Sequence, residues 1–303
     1  VPKICYTPKN FSAFKLDQIK SANLIAEEYA AAGYDLTLRQ LYYQFVARDL
    51  IPNSQEAYSR MGDLISDARC AGLMDWNHII DRTRNMRKNS HWDHPRDILE
   101  SAAATFAMDK WADQSEYVEV WVEKDALVGV VARAAGELDV PYFSCRGYTS
   151  QSEMWSAGQR LKQIQEKGRT PHIIHLGDHD PSGIDMSRDI KARLELFSGG
   201  KVHVLRAALN MVQVQKHRPP PNPAKVTDSR FEAYRKLYGD SSWELDALDP
   251  RTLSDIIRRA VLHFRDEPKF QERKAKEARA KGLLRTIHSR WSDLVRFLQT
   301  PTS

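Results

Sequence analysis

Cysteine is scarce: Cys5, Cys70 and Cys145 stand far apart in a chain of 303 residues. An odd, widely spaced set argues against a disulfide framework, fits a reducing cytosol, and leaves no Cys-X-X-Cys pair for a structural zinc site. Long apolar runs are missing too. No stretch of about 18 apolar residues exists, which excludes a membrane-spanning helix. Residues 1–18, VPKICYTPKNFSAFKLDQ, hold no continuous apolar stretch, so no secretory signal is expected. No Gly-X-Gly-X-X-Gly follows the first predicted strand, no Gly-X-X-X-X-Gly-Lys-Ser/Thr occurs, and no Gly-X-Ser-X-Gly occurs. A dinucleotide-binding dehydrogenase, a P-loop nucleotidase and an elbow-type serine hydrolase therefore lack their defining loops.

What is present is an ordinary globular balance, 42% hydrophobic and 28% charged, with 45 Lys and Arg against 40 Asp and Glu. That composition argues against wholesale disorder, and the modest excess of +5 permits an acidic partner. The length allows one large domain or two ordinary ones. Positive charge gathers at the end: Arg251 to Ser303 hold 13 Lys and Arg against 6 Asp and Glu.

Helical spacing predicts helices over 12–32, 38–49, 56–71 and 98–112, the second opened by Thr37-Leu38-Arg39-Gln40 in the form of a capping box. The pattern then changes. Val118, Val120 and Val122 alternate with Glu119, Trp121 and Glu123, which is the period of a strand. Further strands are expected over 141–146, 172–176 and 202–205, with helices over 125–138, 151–167 and 184–197 between them. This alternation is the signature of an α/β unit with a mostly parallel sheet. The expected organisation is a helical or winged-helix N-terminal module, 1–112, followed by an α/β domain with a basic helical tail, 113–303.

Two of these strands end in carboxylates. The first ends in Trp121-Val122-Glu123-Lys124-Asp125, the third in Leu176-Gly177-Asp178-His179-Asp180-Pro181-Ser182-Gly183. Functional groups of parallel sheets gather at such strand ends. Asp178 and Asp180 stand two apart, so in extended chain both point the same way. A hard divalent cation with oxygen ligands would relieve the mutual repulsion of Glu123, Asp178 and Asp180. Taken alone, Asp-X-Asp-Pro-Ser-Gly also reads as a solvated turn with a helix cap.

Glu123 followed about 55 residues later by Asp178-His179-Asp180 resembles the Toprim domain. Val122-Glu123-Lys124-Asp125-Ala126-Leu127 and Gly177-Asp178-His179-Asp180-Pro181-Ser182-Gly183 are most similar to the topoisomerase VI A subunit and the meiotic double-strand-break transesterase. Trp243-Glu244-Leu245-Asp246-Ala247-Leu248 resembles a late element of the same family, and the likeness covers roughly residues 115–265. The resemblance implies a Toprim-type fold, with Glu123, Asp178 and Asp180 binding Mg²⁺ or Mn²⁺ for phosphodiester chemistry on double-stranded DNA. It also implies a homodimer, a cytoplasmic, nucleoid-associated location and a possible separate ATPase B-type subunit.

The family carries its nucleophile in a motif like Arg-X-X-Tyr/Phe-Tyr, matched here by Arg39-Gln40-Leu41-Tyr42-Tyr43. The resemblance assigns the nucleophile to Tyr43 and the conserved arginine to Arg39. On a helical wheel Leu38, Leu41, Tyr42 and Phe45 share an apolar face, and Tyr43 falls well off its centre. Arg39 and Tyr43, at i and i+4, are neighbours, so the guanidinium is expected to lower the phenol pKa or to clamp a phosphate. On pattern alone, Tyr42 and Tyr43 read as packing residues with a polar edge.

Arg82, Arg84, Arg87 and Lys88 form a basic run placed to track DNA phosphates, or to sit in water, and Lys124 stands beside Glu123 to assist phosphate binding or to balance charge. Glu272 and Glu277 interrupt the basic run of the tail. The reading is a Mg²⁺-dependent transesterase. Its alternatives are a Toprim nuclease using activated water, with Tyr43 structural, and a DNA-binding protein without catalysis.

Overall fold

A computed structural model of the chain describes residues 3–79 and 90–299. Helix α1 spans Ala13–Ala31, opened by the Ser12 side chain. Helix α2, Leu38–Ala47, has the expected capping box: the Thr37 hydroxyl accepts from the Gln40 amide at 3.3 Å, and the Gln40 side chain accepts from the Thr37 amide at 2.9 Å. Helix α3 spans Gln55–Cys70 behind a Ser54 cap. The three bury Ile25, Tyr29, Leu41, Phe45, Met61 and Ile65 together. Burial of each such side chain contributes about 1.5–3 kcal/mol. Two isolated bridges, Cys5 with Ala71 and Leu36 with Ile79, accompany these helices. Helix α4, Pro95–Thr105, stops short of the expected 112.

The sheet follows the expected alternation. Strand β1 is Glu116–Val122, α5 Val128–Leu138, β2 Tyr142–Ser144, α6 Gln151–Glu166, β3 Thr170–Leu176, α7 Pro181–Ser198 and β4 His203–Ala208. The four strands form a parallel sheet in the order β2-β1-β3-β4. The register slips between His175 and Leu176, so Leu176 pairs with Ala208. Trp121 and Ile173 pack on Met154 and Leu161 of α6 and on Met186 and Leu194 of α7. Val118, Val120 and Val122 are buried by the opposite face. The polar side of the alternation is therefore not solvent-facing: Glu119 is buried and held by Arg160 at 2.8 and 3.0 Å, by Trp121 Nε1 and by the Tyr117 hydroxyl.

Beyond β4 come α8, Met211–His217, and α9, Phe231–Tyr238, neither legible in the sequence. A short antiparallel pair, β5 Asn222–Pro223 and β6 Ser241–Ser242, brackets α9. Helix α10 is Pro250–Leu262, α11 Glu267–Ser289 and α12 Trp291–Gln299. No helix among the described residues is long and apolar enough to cross a membrane.

The chain does not divide at 112/113. Described residues up to 79 and those from 117 to 263 form one compact unit, so α1–α3 share a unit with the sheet. Residues 90–116 and 264–299 form the other, built on the packing of α4 against α11. Glu277 organises this second unit. Its carboxylate accepts from the Met108 amide at 2.9 Å, from Lys110 at 2.7 Å and from Lys281 at 2.9 Å. Lys110 leads these contacts in holding the carboxyl down to about 2, against an ordinary value near 4.5. A carboxyl depressed in the folded state contributes stability above its unfolded pKa and loses it as pH falls through the folded one. The second unit should therefore weaken between about pH 5 and pH 2. Glu277→Gln should flatten that dependence and cost on the order of 1–2 kcal/mol at neutral pH, read by denaturant unfolding of both proteins across the range.

Candidate active site at the sheet switch point

Strand order reverses between β1 and β3: from this central pair the chain crosses to β2 on one side and to β4 on the other. Ligands of open α/β sheets bind at such a point, outside the carboxyl ends of the strands. Glu123 follows β1 and Asp178 follows β3, tied side by side by the Glu123 amide donating to the Leu176 carbonyl at 2.9 Å. Glu123 Oε2 accepts from the Asp178 amide at 2.9 Å. Asp180 caps α7, its Oδ1 accepting from the Gly183 amide at 2.6 Å and the Ser182 hydroxyl at 3.1 Å. Asp178 turns elsewhere, accepting from the Leu245 amide at 2.8 Å and pairing with Lys124 at 2.9 Å. The two aspartates thus do different work: Asp180 caps α7, and Asp178 is tied to Lys124 and to the turn at Leu245. His179, between them, turns its ring to the Tyr234 hydroxyl at 2.9 Å.

Burial pushes the Glu123 carboxyl up, and the Asp180 charge adds to this against the Asp178 amide and Lys124. Burial likewise pushes Asp178 up, with Lys124 opposing. Lys124 is the centre of the cluster. Its ammonium reaches Asp178, Glu244 at 2.7 Å and Asp246 at 3.1 Å. Burial favours the neutral amine, but these carboxylates hold it protonated. Arg39 meets the same pair, contacting Glu244 and lying 2.7 Å from Asp246. The His179–Trp243 bridge and the turn Leu245–Ala247 present Glu244 and Asp246 to both cations.

Tyr43 lies at the edge of this network, 3.5 Å from Arg39, but its environment differs from the helical-wheel expectation. It is buried at 3% exposure, and Tyr42 at 4%, because α2 packs on α1, on α3 and on the turn carrying Ala247. The wheel accounts for one face; neighbours cover the others. The phenol pKa moves opposite to expectation: burial raises it, Asp246 and Glu244 raise it further, and Arg39 offsets only part. Tyr42 has a packing role, with its hydroxyl bonded to Asn53 at 3.0 Å and to the Ser54 amide at 2.8 Å.

Sequence reasoning gave no role to Arg206, Glu244 or Asp246. Arg206, from β4, donates to the carbonyls of Gly177, Asp178, Gly183 and Leu209 and so pins the loop that carries both aspartates. A basic residue within a short strand of otherwise uncharged residues was the available signal. The signal for the other two was the Glu-X-Asp spacing. Arg82, Arg84, Arg87 and Lys88 lie outside the described residues.

Among the described residues no three His, Cys, Asp or Glu side chains are already gathered as a metal-holding group. Lys124 and the Leu245 amide occupy both oxygens of Asp178. The donor set nevertheless suits a hard cation. All the side chains are oxygen donors, and Glu123 Oε1 and Asp180 Oδ2 accept no hydrogen bond among the described residues. Five carboxyl groups, of Glu123, Asp178, Asp180, Glu244 and Asp246, share the site with three basic side chains, and burial pushes Glu123, Asp178 and Asp246 up, a cost that a bound cation would offset.

Gly183 sets how tightly this loop folds. A Cβ there would stand 2.3 Å from the Asp178 carbonyl oxygen, a backbone atom that cannot move alone. Gly183→Ala should cost about 1–3 kcal/mol and displace both aspartates. Gly282, inside α11, has nothing within 4 Å of such a Cβ. Gly282→Ala should stabilise by roughly 0.5–1 kcal/mol. Denaturant unfolding of the two variants checks the opposite signs; equal effects would refute the loop argument.

Comparisons of the chain with protein-family models, with curated proteins and with solved structures found no match, so the functional reading rests on this geometry and on the sequence motifs.

Proposed function

We propose that the chain cleaves double-stranded DNA by Mg²⁺-dependent transesterification with Tyr43 as the nucleophile, in the manner of a topoisomerase VI A-type protein with a Toprim domain. One observation carries the reading: a single polar network runs from Tyr43 through Arg39, Asp246 and Lys124 to Asp178, with steps of 3.5, 2.7, 3.1 and 2.9 Å. A phenol, two cations and a set of hard oxygen donors therefore belong to one assembly. Glu123, Asp178 and Asp180 would hold Mg²⁺ or Mn²⁺, which supplies Lewis-acid stabilisation of charge on the phosphoryl group. Arg39 and Lys124 contribute fixed positive charge where negative charge develops.

In the step proposed, the Tyr43 oxygen forms a bond to phosphorus as the bond from phosphorus to the 3′ oxygen breaks. The phenol proton leaves to solvent, and the 3′ oxygen takes one up. The chain ends covalently attached to the 5′ end, and the retained ester bond allows religation without a nucleotide. Each strand needs its own nucleophile, so a double-strand break requires two copies, which agrees with a homodimer. Coupling to ATP would fall to a separate B-type subunit. The burial of Tyr43 favours a second reading, hydrolysis by water with Tyr43 serving packing alone.

A trapping assay separates the two. Protein, supercoiled plasmid and Mg²⁺ or Mn²⁺ are mixed and quenched with detergent, with wild type, Tyr43→Phe and Asp178→Ala in parallel. Transesterification predicts protein on 5′ ends in wild type and loss of the adduct in both variants. Free ends that persist in Tyr43→Phe and vanish in Asp178→Ala would replace it with the hydrolytic reading.

A further inference from the structure

We propose that Arg39, Lys124 and Asn222 form a cradle for a nucleic-acid phosphodiester, which Glu244 fills in the resting chain as an internal stand-in. The proposal rests on the DNA-cleavage reading for its ligand. Three donors from distant parts of the chain converge on this one carboxylate: Arg39 Nη2, Lys124 Nζ at 2.7 Å and Asn222 Nδ2 at 3.2 Å. A guanidinium, an ammonium and an amide around one anion form a set suited to a phosphoryl group, with the guanidinium fork matching two of its oxygens.

The two acids of the segment are not equivalent. Asp246 is fully buried and holds Arg39 at 2.7 Å and Lys124 at 3.1 Å from beneath. The Glu244 side chain is 25% exposed, and that of Arg39 is 41% exposed. If Glu244 swings out, Asp246 keeps both cations in place and their outer faces open to solvent. Asp246 positions the cradle, and Glu244 is the exchangeable occupant. The Asn222 amide is itself fixed: Asn222 Oδ1 accepts from Asn53 at 2.7 Å, and Asn53 accepts from Tyr42, the neighbour of Tyr43. The occupant's departure is thus connected by hydrogen bonds to the helix bearing the phenol.

The test is binding without chemistry. Full-length wild type, Glu244→Gln, Glu244→Asp and the double variant Glu244→Gln with Arg39→Gln are titrated against a labelled duplex oligonucleotide in EDTA, with circular dichroism as the check of folding. Glu244→Gln should bind the duplex roughly tenfold tighter, the scale of one charge-assisted contact. Adding Arg39→Gln should remove that gain, whereas pairing Glu244→Gln with Lys167→Gln, an exposed lysine outside the cradle that restores the same net charge, should keep it; loss of the gain in both would mark a general charge effect and overturn the proposal. Glu244→Asp keeps the charge but withdraws it by one methylene, and should show a smaller gain. Inorganic phosphate forms a second arm: if it binds Glu244→Gln while the duplex gains nothing, the ligand is free phosphate and the nucleic-acid assignment falls. No gain with either ligand, or failure of both single variants to fold, overturns the proposal and makes Glu244 a structural pin. Because no metal is present, an absence of cleavage in the trapping assay leaves this result standing, and its failure leaves the cleavage reading to the covalent adduct.

Discussion

The Lys124 ammonium joins three separate parts of the chain: it follows β1, pairs with Asp178 after β3, and meets Glu244 and Asp246 from the segment before α10. Taking an ammonium and several carboxylates out of water costs several kcal/mol per ion, and only close pairing with further hydrogen bonds offsets that. Here each member has such support. Asp178 takes the Leu245 amide, Glu244 takes Asn222, and Arg39 lies against both Glu244 and Asp246. Without Lys124, Asp246 would retain Arg39, but Asp178 would lose its paired cation; proton uptake would then be the remaining way to keep Asp178 buried, and its contact with the Leu245 amide would lose its charge. The switch point, the late acidic segment and the start of α2 therefore share one electrostatic dependency.

Sheet topology explains why this cluster forms where it does. A parallel sheet directs all its strand ends one way, and the order β2-β1-β3-β4 puts the ends of β1 and β3 next to each other. Carboxylates at both ends must then be neighbours. The backbone around them is held closely: a Cβ on Gly177 would meet Glu123 Oε2 at 2.9 Å, and Arg206 ties four carbonyls of the surrounding loops. Precise placement of repelling groups needs this stiffness, because repulsion would otherwise spread them.

How much of this the chain reveals depends on whether the information is local. Period-two alternation located β1, and the Thr37–Gln40 capping box located α2, because both are set within a few residues. Glu123, Asp178 and Asp180 were found as strand-end acids for the same reason. The contacts that define the network are not local. Arg39 and Glu244 stand 205 residues apart, and Lys124 and Asp246 stand 122 apart. Nothing in either neighbourhood announces the partner. Tyr43 shows the complementary limit. A helical wheel treats a helix as having one buried side, whereas α2 is wrapped by α1, α3 and the turn at Ala247. The unit boundary was missed for a related reason, since α4 finds its partner α11 only after the whole sheet has intervened.

The internal occupant of the proposed cradle follows from a general constraint. A site meant to hold a phosphoryl group in a partly buried place needs cations there before the group arrives. Empty, such cations have lost part of their hydration and gained nothing, and a lysine in that position tends to release its proton. An internal anion removes the difficulty. It must be strong enough to keep Lys124 charged and exposed enough to leave. Burial opposes ionisation of Glu244, but Lys124 and Arg39 outweigh it and hold the carboxyl at about 2, so it remains an anion across the physiological range. Asp246, with no exposed surface, meets the first requirement and fails the second. Two acids two residues apart divide the tasks: one keeps the cations in place permanently, and the other neutralises them until a competing anion takes its position.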